Sequence, residues 1–116
     1  MLGSEGRLPV HLWIEAQLKP LNDRGVFYYI HQRGERNTGT VLLKINNLSG
    51  QCALLVQQRN LEGHMGWMYA MNKEQVEEAD ADAYIQRATS RDPDLWVIEI
   101  EDREMQNPFE GNIIKG

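Results

Sequence analysis

Hydrophobic and polar positions alternate most clearly around Trp96–Arg103. Trp96, Ile98 and Ile100 fall on one side, and Leu95, Val97, Glu99, Glu101 and Arg103 on the other. That is the period of a β-strand. Pro93 disfavours helix at Asp92, so a preceding helix should stop there. Four earlier segments also read as strands: Val26–Arg33, Thr40–Asn46, Gln51–Gln58 and Met65–Met71. Polar, glycine-bearing stretches separate them at 34–39, 47–50 and 59–64, as turns require.

Ala81, Tyr84, Ile85 and Ala88 follow helical spacing, with Glu77, Glu78, Asp80 and Asp82 before them and Arg87 and Arg91 after. This predicts an amphipathic helix whose charges suit its dipole. Val10, Trp13, Ile14, Gln17, Leu18 and Leu21 predict another helix over Val10–Arg24, with Pro9 in its first turn and Gly25 as its stop. Pro20 interrupts that pattern and costs about 3 kcal/mol inside a helix, so a kink or an end near Lys19 is expected. A rival reading makes Val10–Glu15 a short strand.

The turns suggest a register. Arg33 would oppose Thr40, Asn46 would oppose Gln51, and Gln58 would oppose Met65. That alignment gathers Tyr28, Leu43, Leu54 and Trp67 on one apolar face, which Ile98 joins if the last strand lies beside the first. The expected fold class is therefore α+β. It has a five-stranded antiparallel sheet, a meander of four plus a C-terminal strand; if that strand lies beside the first, the order is 5-1-2-3-4. An N-terminal helix and one helix before the last strand complete it. Residues 1–9 read as a flexible tail, 10–103 as a single domain and 104–116 as an irregular tail.

Composition narrows the class. The chain has 116 residues, 41% hydrophobic and 25% charged, which is the range of one ordinary globular domain. A net charge of -5 argues against a broad phosphate-neutralising surface. Cys52 is the single cysteine, so no intrachain disulfide forms and a cytoplasmic address is the default. No apolar run approaches the ~20 residues of a membrane helix.

Two stretches together carry a resemblance. Arg33-Gly34 through Gly39 to Lys44-Ile45, and Ala81-Asp82-Ala83-Tyr84-Ile85 leading to Asp92–Arg103, resemble a family of short bacterial proteins classed as domain of unknown function 1491. Trp13 fits the same pattern. Pro20 and the longer C-terminal tail depart from it. The resemblance implies a bacterial protein of unknown activity, and it transfers no catalytic residue.

Candidate chemistry is sparse. Glu99 and Glu101, with Asp94, form a weak divalent-metal candidate, since hard cations take carboxylate oxygens. The competing explanation is a solvated, charged strand end. In the expected register Tyr29, His31, Arg33 and Lys44 share one sheet face, with Tyr29 opposite Lys44 and Arg36 in the adjoining loop. Basic groups among aromatics can bind single-stranded nucleic acid. Leu42 and Leu55 make the same face unusually apolar, which points to a covered surface. His11, His31 and His64 lack metal-ligand spacing, the glycines match no phosphate-binding loop, and no cofactor is implied. The leading expectation is a non-catalytic interaction module, binding a protein partner or a second copy of itself. Nucleic-acid binding and metal-assisted hydrolysis are the alternatives.

Overall fold

The computed structural model describes residues 8–114; residues 1–7 and 115–116, which include most of the expected N-terminal tail, lie outside the described residues. Among the described residues, two helices and seven strands follow in the order α1 (Val10–Asp23), β1 (Tyr28–Gln32), β2 (Val41–Asn46), β3 (Gln51–Arg59), β4 (Met65–Tyr69), β5 (Val76–Glu77), α2 (Glu78–Arg91), β6 (Trp96–Glu101) and β7 (Asn112–Ile113). The fold is α+β.

The helix α1 runs through Pro20. Leu18 and Leu21 on either side of the proline are both buried, each contributing about 1.5–3 kcal/mol, which offsets the cost of the ring. No side chain caps its N-terminus. The free N–H groups of Val10 and His11 instead donate to the carbonyls of Asn37 and Arg36, as helix ends demand. At the other end Gly25 adopts a left-handed φ of 71°. Gly25 N–H donates to Asn22 and Val26 N–H to Leu21, the paired C-terminal bonds that only a left-handed residue permits.

The sheet differs from the expected antiparallel meander. It is a mixed sheet of seven strands in the order β1-β6-β2-β3-β4-β7, with β5 pairing β3. The first hairpin does not form. β6 lies between β1 and β2, antiparallel to the first and parallel to the second. Its position follows from its side chains. Leu95 through Ile100 are all buried, so the strand needs cover on both faces and neighbours on both edges, as central strands do. β5, α2 and β6 form the helical crossover that parallel strands require.

The two remaining hairpins pair one residue away from the expected register. Leu43 faces Leu55 rather than Leu54, and Gln57 rather than Val56 faces Trp67. In the first of these turns Asn47 N–H donates to Gln51 and Leu48 takes a φ of 67°, closing a three-residue loop. Since the side-chain period is two, the slip moves Leu54 to the opposite face. Tyr28, Leu43, Trp67 and Ile98 share the face under α1, with Ile14, Leu18 and Leu21. Leu54 lies under α2 with Leu42, Cys52 and Val97. Trp96 is buried on the α1 face as expected.

The segment after β6, irregular apart from β7, docks against the core. Phe109 is buried and packs edge-on against Trp13 and Trp67, with ring centroids 5.8 and 6.2 Å away. Trp67 Nε1–H donates to the Glu110 carbonyl, and β7 pairs parallel to β4.

The loop 34–39 is locked onto the start of β6. Glu35 N–H donates to the Asp94 carbonyl, and Trp96 Nε1–H donates to the Glu35 carbonyl at 2.8 Å. A Cβ on Gly34 would run into the Asp94 carbonyl oxygen and the backbone of Leu95. Gly34→Ala should therefore lower stability by about 1–3 kcal/mol through overpacking against backbone. Urea denaturation would show it as a lower midpoint at unchanged slope.

Candidate functional site

β1 is an edge strand of the sheet, and its two faces present different chemistry. On the α1 side a cleft of about 640 Å³ opens between the helix and the strand. Ile14, Leu18, Tyr28, Ile30 and Trp96 supply its apolar lining. Lys19, Arg33, Arg36 and His11 bring basic groups, and Glu15 is the single acidic residue among the lining side chains. Among the described residues no ion pair involves Lys19, Arg33 or Arg36.

The rim is held by α1 and the 34–39 loop together. His11 Nδ1 lies 3.0 Å from the Arg36 carbonyl, and its Nε2 lies 3.0 Å from the Arg36 guanidinium. A neutral imidazole protonated on Nδ1 satisfies both bonds, donating to the carbonyl and accepting from the guanidinium. The Glu35 carboxylate accepts from the N–H groups of Asn37 and Thr38, which holds its pKa below the usual carboxylate range. These bonds keep Glu35 folded into its own loop.

On the α2 side lies a polar network with one buried cation at its centre. The Lys44 ammonium donates to Asp82 at 2.7 Å and Glu78 at 2.9 Å, and lies 3.6 Å from Glu99. Asn46 bridges Glu78 and Glu99. His31 Nε2 lies 2.7 Å from Glu99, and Tyr29 donates to Glu101. Burial opposes the charge on Lys44, but the bonds to Asp82 and Glu78 and the charge of Glu99 outweigh it and raise its pKa. Burial likewise opposes ionisation of Glu99. The bonds from Asn46 and His31 and the charge of Lys44 reverse that and lower its pKa. At neutral pH the network is an ionised Lys44–Glu99 pair with Glu78 and Asp82 in contact.

The residues singled out in the sequence are thus divided. Arg33 and Arg36 reach the cleft. Tyr29, His31 and Lys44 face the α2 side, and Glu99 stands between Tyr29 and Lys44 in the sheet. Lys44 is 4% exposed and committed to its carboxylates. Leu42 and Leu55 are both buried, under α2 and α1 respectively, and form no common surface. Asp94 is exposed in the turn before β6. Among the described residues, no group of three or more His, Cys, Asp and Glu is arranged to hold a metal ion. Cys52 is buried; burial raises its pKa to about 11 even though Lys44 opposes the shift, so it stays a thiol near neutral pH. No helix among the described residues is long and apolar enough to cross a membrane.

Several side chains of the polar network carry no obvious mark in the sequence. Nothing in the spacing joins Asn46, Glu78 and Asp82 to Lys44. The cleft's helical wall does leave a trace, because His11, Glu15, Lys19 and Asn22 recur at helical spacing beside the buried Ile14 and Leu18.

The fold and cleft define a small two-helix, mixed-sheet α+β domain with a basic groove at one sheet edge. A family model described as protein of unknown function (DUF1491) matches residues 8–110, and the chain belongs to that family. It is similar to the crystal structure of a DUF1491 family protein from Caulobacter crescentus CB15, at 29% identity and a TM-score of 0.81 over 93% of this chain and 100% of that one. The NMR structure of a DUF1491 family protein from the same organism matches at 29% identity and a TM-score of 0.78, over 95% and 100% of the two chains. A solution structure from A. tumefaciens shares the fold at 20% identity and a TM-score of 0.67, over 84% and 87%. No curated protein matches the chain.

The network's pH dependence has two arms. The lowered pKa of Glu99 contributes stability above the unfolded carboxylate value, about 4.3, that is lost as pH falls through the folded value. The raised pKa of Lys44 contributes stability below about 10.4 that is lost as pH rises through the folded value. Lys44→Met should remove the alkaline arm and cost about 3–5 kcal/mol, because it leaves Glu99 buried without its cation. Urea titrations across the pH range would measure both effects.

Proposed function

We propose that this chain is a non-catalytic binding module whose α1–β1 cleft takes an acidic segment of a protein partner. The supporting observation is the gathering of Lys19, Arg33 and Arg36 around an apolar floor, in a chain whose net charge is -5. A domain with an acidic balance that collects cations in one groove is complementary to an anionic ligand at that groove. The apolar floor of Tyr28, Ile30 and Trp96 favours a ligand that also has apolar surface to bury. Arg33 and Arg36 are exposed and, among the described residues, in no ion pair, so they can meet carboxylates without first breaking an internal salt bridge.

The other two readings have less support. Single-stranded nucleic-acid binding needs its stacking and basic groups on one surface, whereas Tyr29 and Lys44 are separated from Arg33 and Arg36 by the sheet. Metal-assisted hydrolysis needs free carboxylates, whereas Glu99 accepts from Asn46 and His31 beside Lys44.

Fluorescence anisotropy with a labelled glutamate-rich peptide tests the proposal. Binding should weaken as salt rises. The double variant Arg33→Glu/Arg36→Glu should weaken it about tenfold or more, equivalent to about 1.4 kcal/mol. No binding at low ionic strength, or tighter binding of a single-stranded oligonucleotide than of the peptide, would overturn it.

A further inference from the structure

The edge of β1 adds a second feature to that cleft. Phe27 accepts a hydrogen bond from Glu101 N–H, and Tyr29 pairs with Glu99. In an antiparallel ladder this directs the N–H and C=O groups of Tyr28 and Ile30 away from β6. β1 ends the strand order on that side, so these groups line an open edge. A bulge between Ile30 and Gln32 bends the strand there and limits the flat stretch to a few residues.

The two faces beside this edge carry opposite chemistry. Toward α1 stand the cations of the cleft. Toward the other face, Phe27 is 68% exposed and Tyr29 46% exposed, because α2 lies over β3 and β5 instead. Tyr29 and His31 stack with centroids 6.2 Å apart. Glu101 accepts from the Tyr29 hydroxyl and, among the described residues, is in no ion pair. Its bond and charge raise the Tyr29 pKa. Aromatic rings beside an unneutralised carboxylate attract cationic side chains.

We infer that the partner segment adds to β1 as a further strand, with its acidic side chains entering the α1 cleft and its basic side chains lying over Phe27, Tyr29 and Glu101. The inference rests on the cleft reading above and specifies its ligand. Side chains of an added strand alternate between faces, so the recognised segment alternates acidic and basic residues. Backbone bonds to Tyr28 and Ile30 supply affinity, and the two oppositely charged faces set the register.

Three short peptides of about six residues, a typical strand length, separate the possibilities: alternating Glu-Lys, the same composition in two blocks, and all-Glu. The alternating peptide should bind about tenfold tighter than the block peptide. N-methylation of its backbone on the edge-facing side should remove that advantage, because the side-chain charges remain while the strand bonds are lost. Glu101→Lys should also abolish the advantage without weakening the all-Glu peptide. Equal binding of alternating and block peptides, with all-Glu still bound, would overturn strand addition and leave the cleft reading standing. Failure of all three to bind would overturn both. A concentration-dependent dimer in sedimentation velocity that the alternating peptide does not dissociate would assign the edge to a second copy, and would also overturn the inference.

Discussion

The insertion of β6 between β1 and β2 is the constraint on which the other features depend. It places an apolar strand where both faces are covered and both edges are paired. It brings Trp96 under α1, where the indole N–H reaches the Glu35 carbonyl. It also brings Asp94 against Gly34 and Gly39, which only glycine permits at this distance. The 34–39 loop is thereby fixed, and the fixed loop supplies the carbonyls that cap α1. The wall, floor and rim of the cleft all trace back to this strand.

The same insertion displaces β1 to the edge and separates its two sides. α1 leans over one side and leaves a groove whose basic residues come from the helix, the end of β1 and the fixed loop. α2 covers the central strands and leaves Phe27 and Tyr29 open on the other. Glu99 is then flanked by Tyr29 and Lys44 in the sheet, where an antiparallel neighbour of β1 alone would have left it at a solvated end. A carboxylate that reads as a metal ligand in the sequence becomes the counter-ion of a buried lysine. That burial is tolerable because Glu78 and Asp82 reach the same ammonium from α2 and Asn46 satisfies the second oxygen of Glu99. The network ties α2 to β2 and β6 through directional bonds as well as packing.

Local patterns marked the elements well. The alternation in Trp96–Glu101, the i, i+3, i+4 stripe of α2 and the glycine-bearing turns each reflect interactions within a few residues, and the structure retains them. Register was less legible. In β2 both faces are buried, so sliding the hairpin by one residue exchanges one apolar side for another, and alternation has nothing to discriminate with. The polar character of Tyr29, His31 and Gln32 did contain a hint that β1 is an edge strand, as did the continuous burial of Leu95–Ile100 that β6 is central. The C-terminal segment was least legible, because Phe109 gains its place only from contacts with Trp13 and Trp67, distant in sequence.

The amino-acid sequence by itself determined the helices, most strand positions, the turns and the family, because propensity, periodicity and glycine placement act over short range. Tertiary structure alone decided the strand order, the register and the grouping of charges. Each of those depends on which distant segment supplies the missing backbone partner or counter-ion, and no local pattern carries that information. Arg33 and Arg36 therefore share a cleft with Lys19, while Lys44, expected on the same face, is turned through the sheet into a cluster of carboxylates.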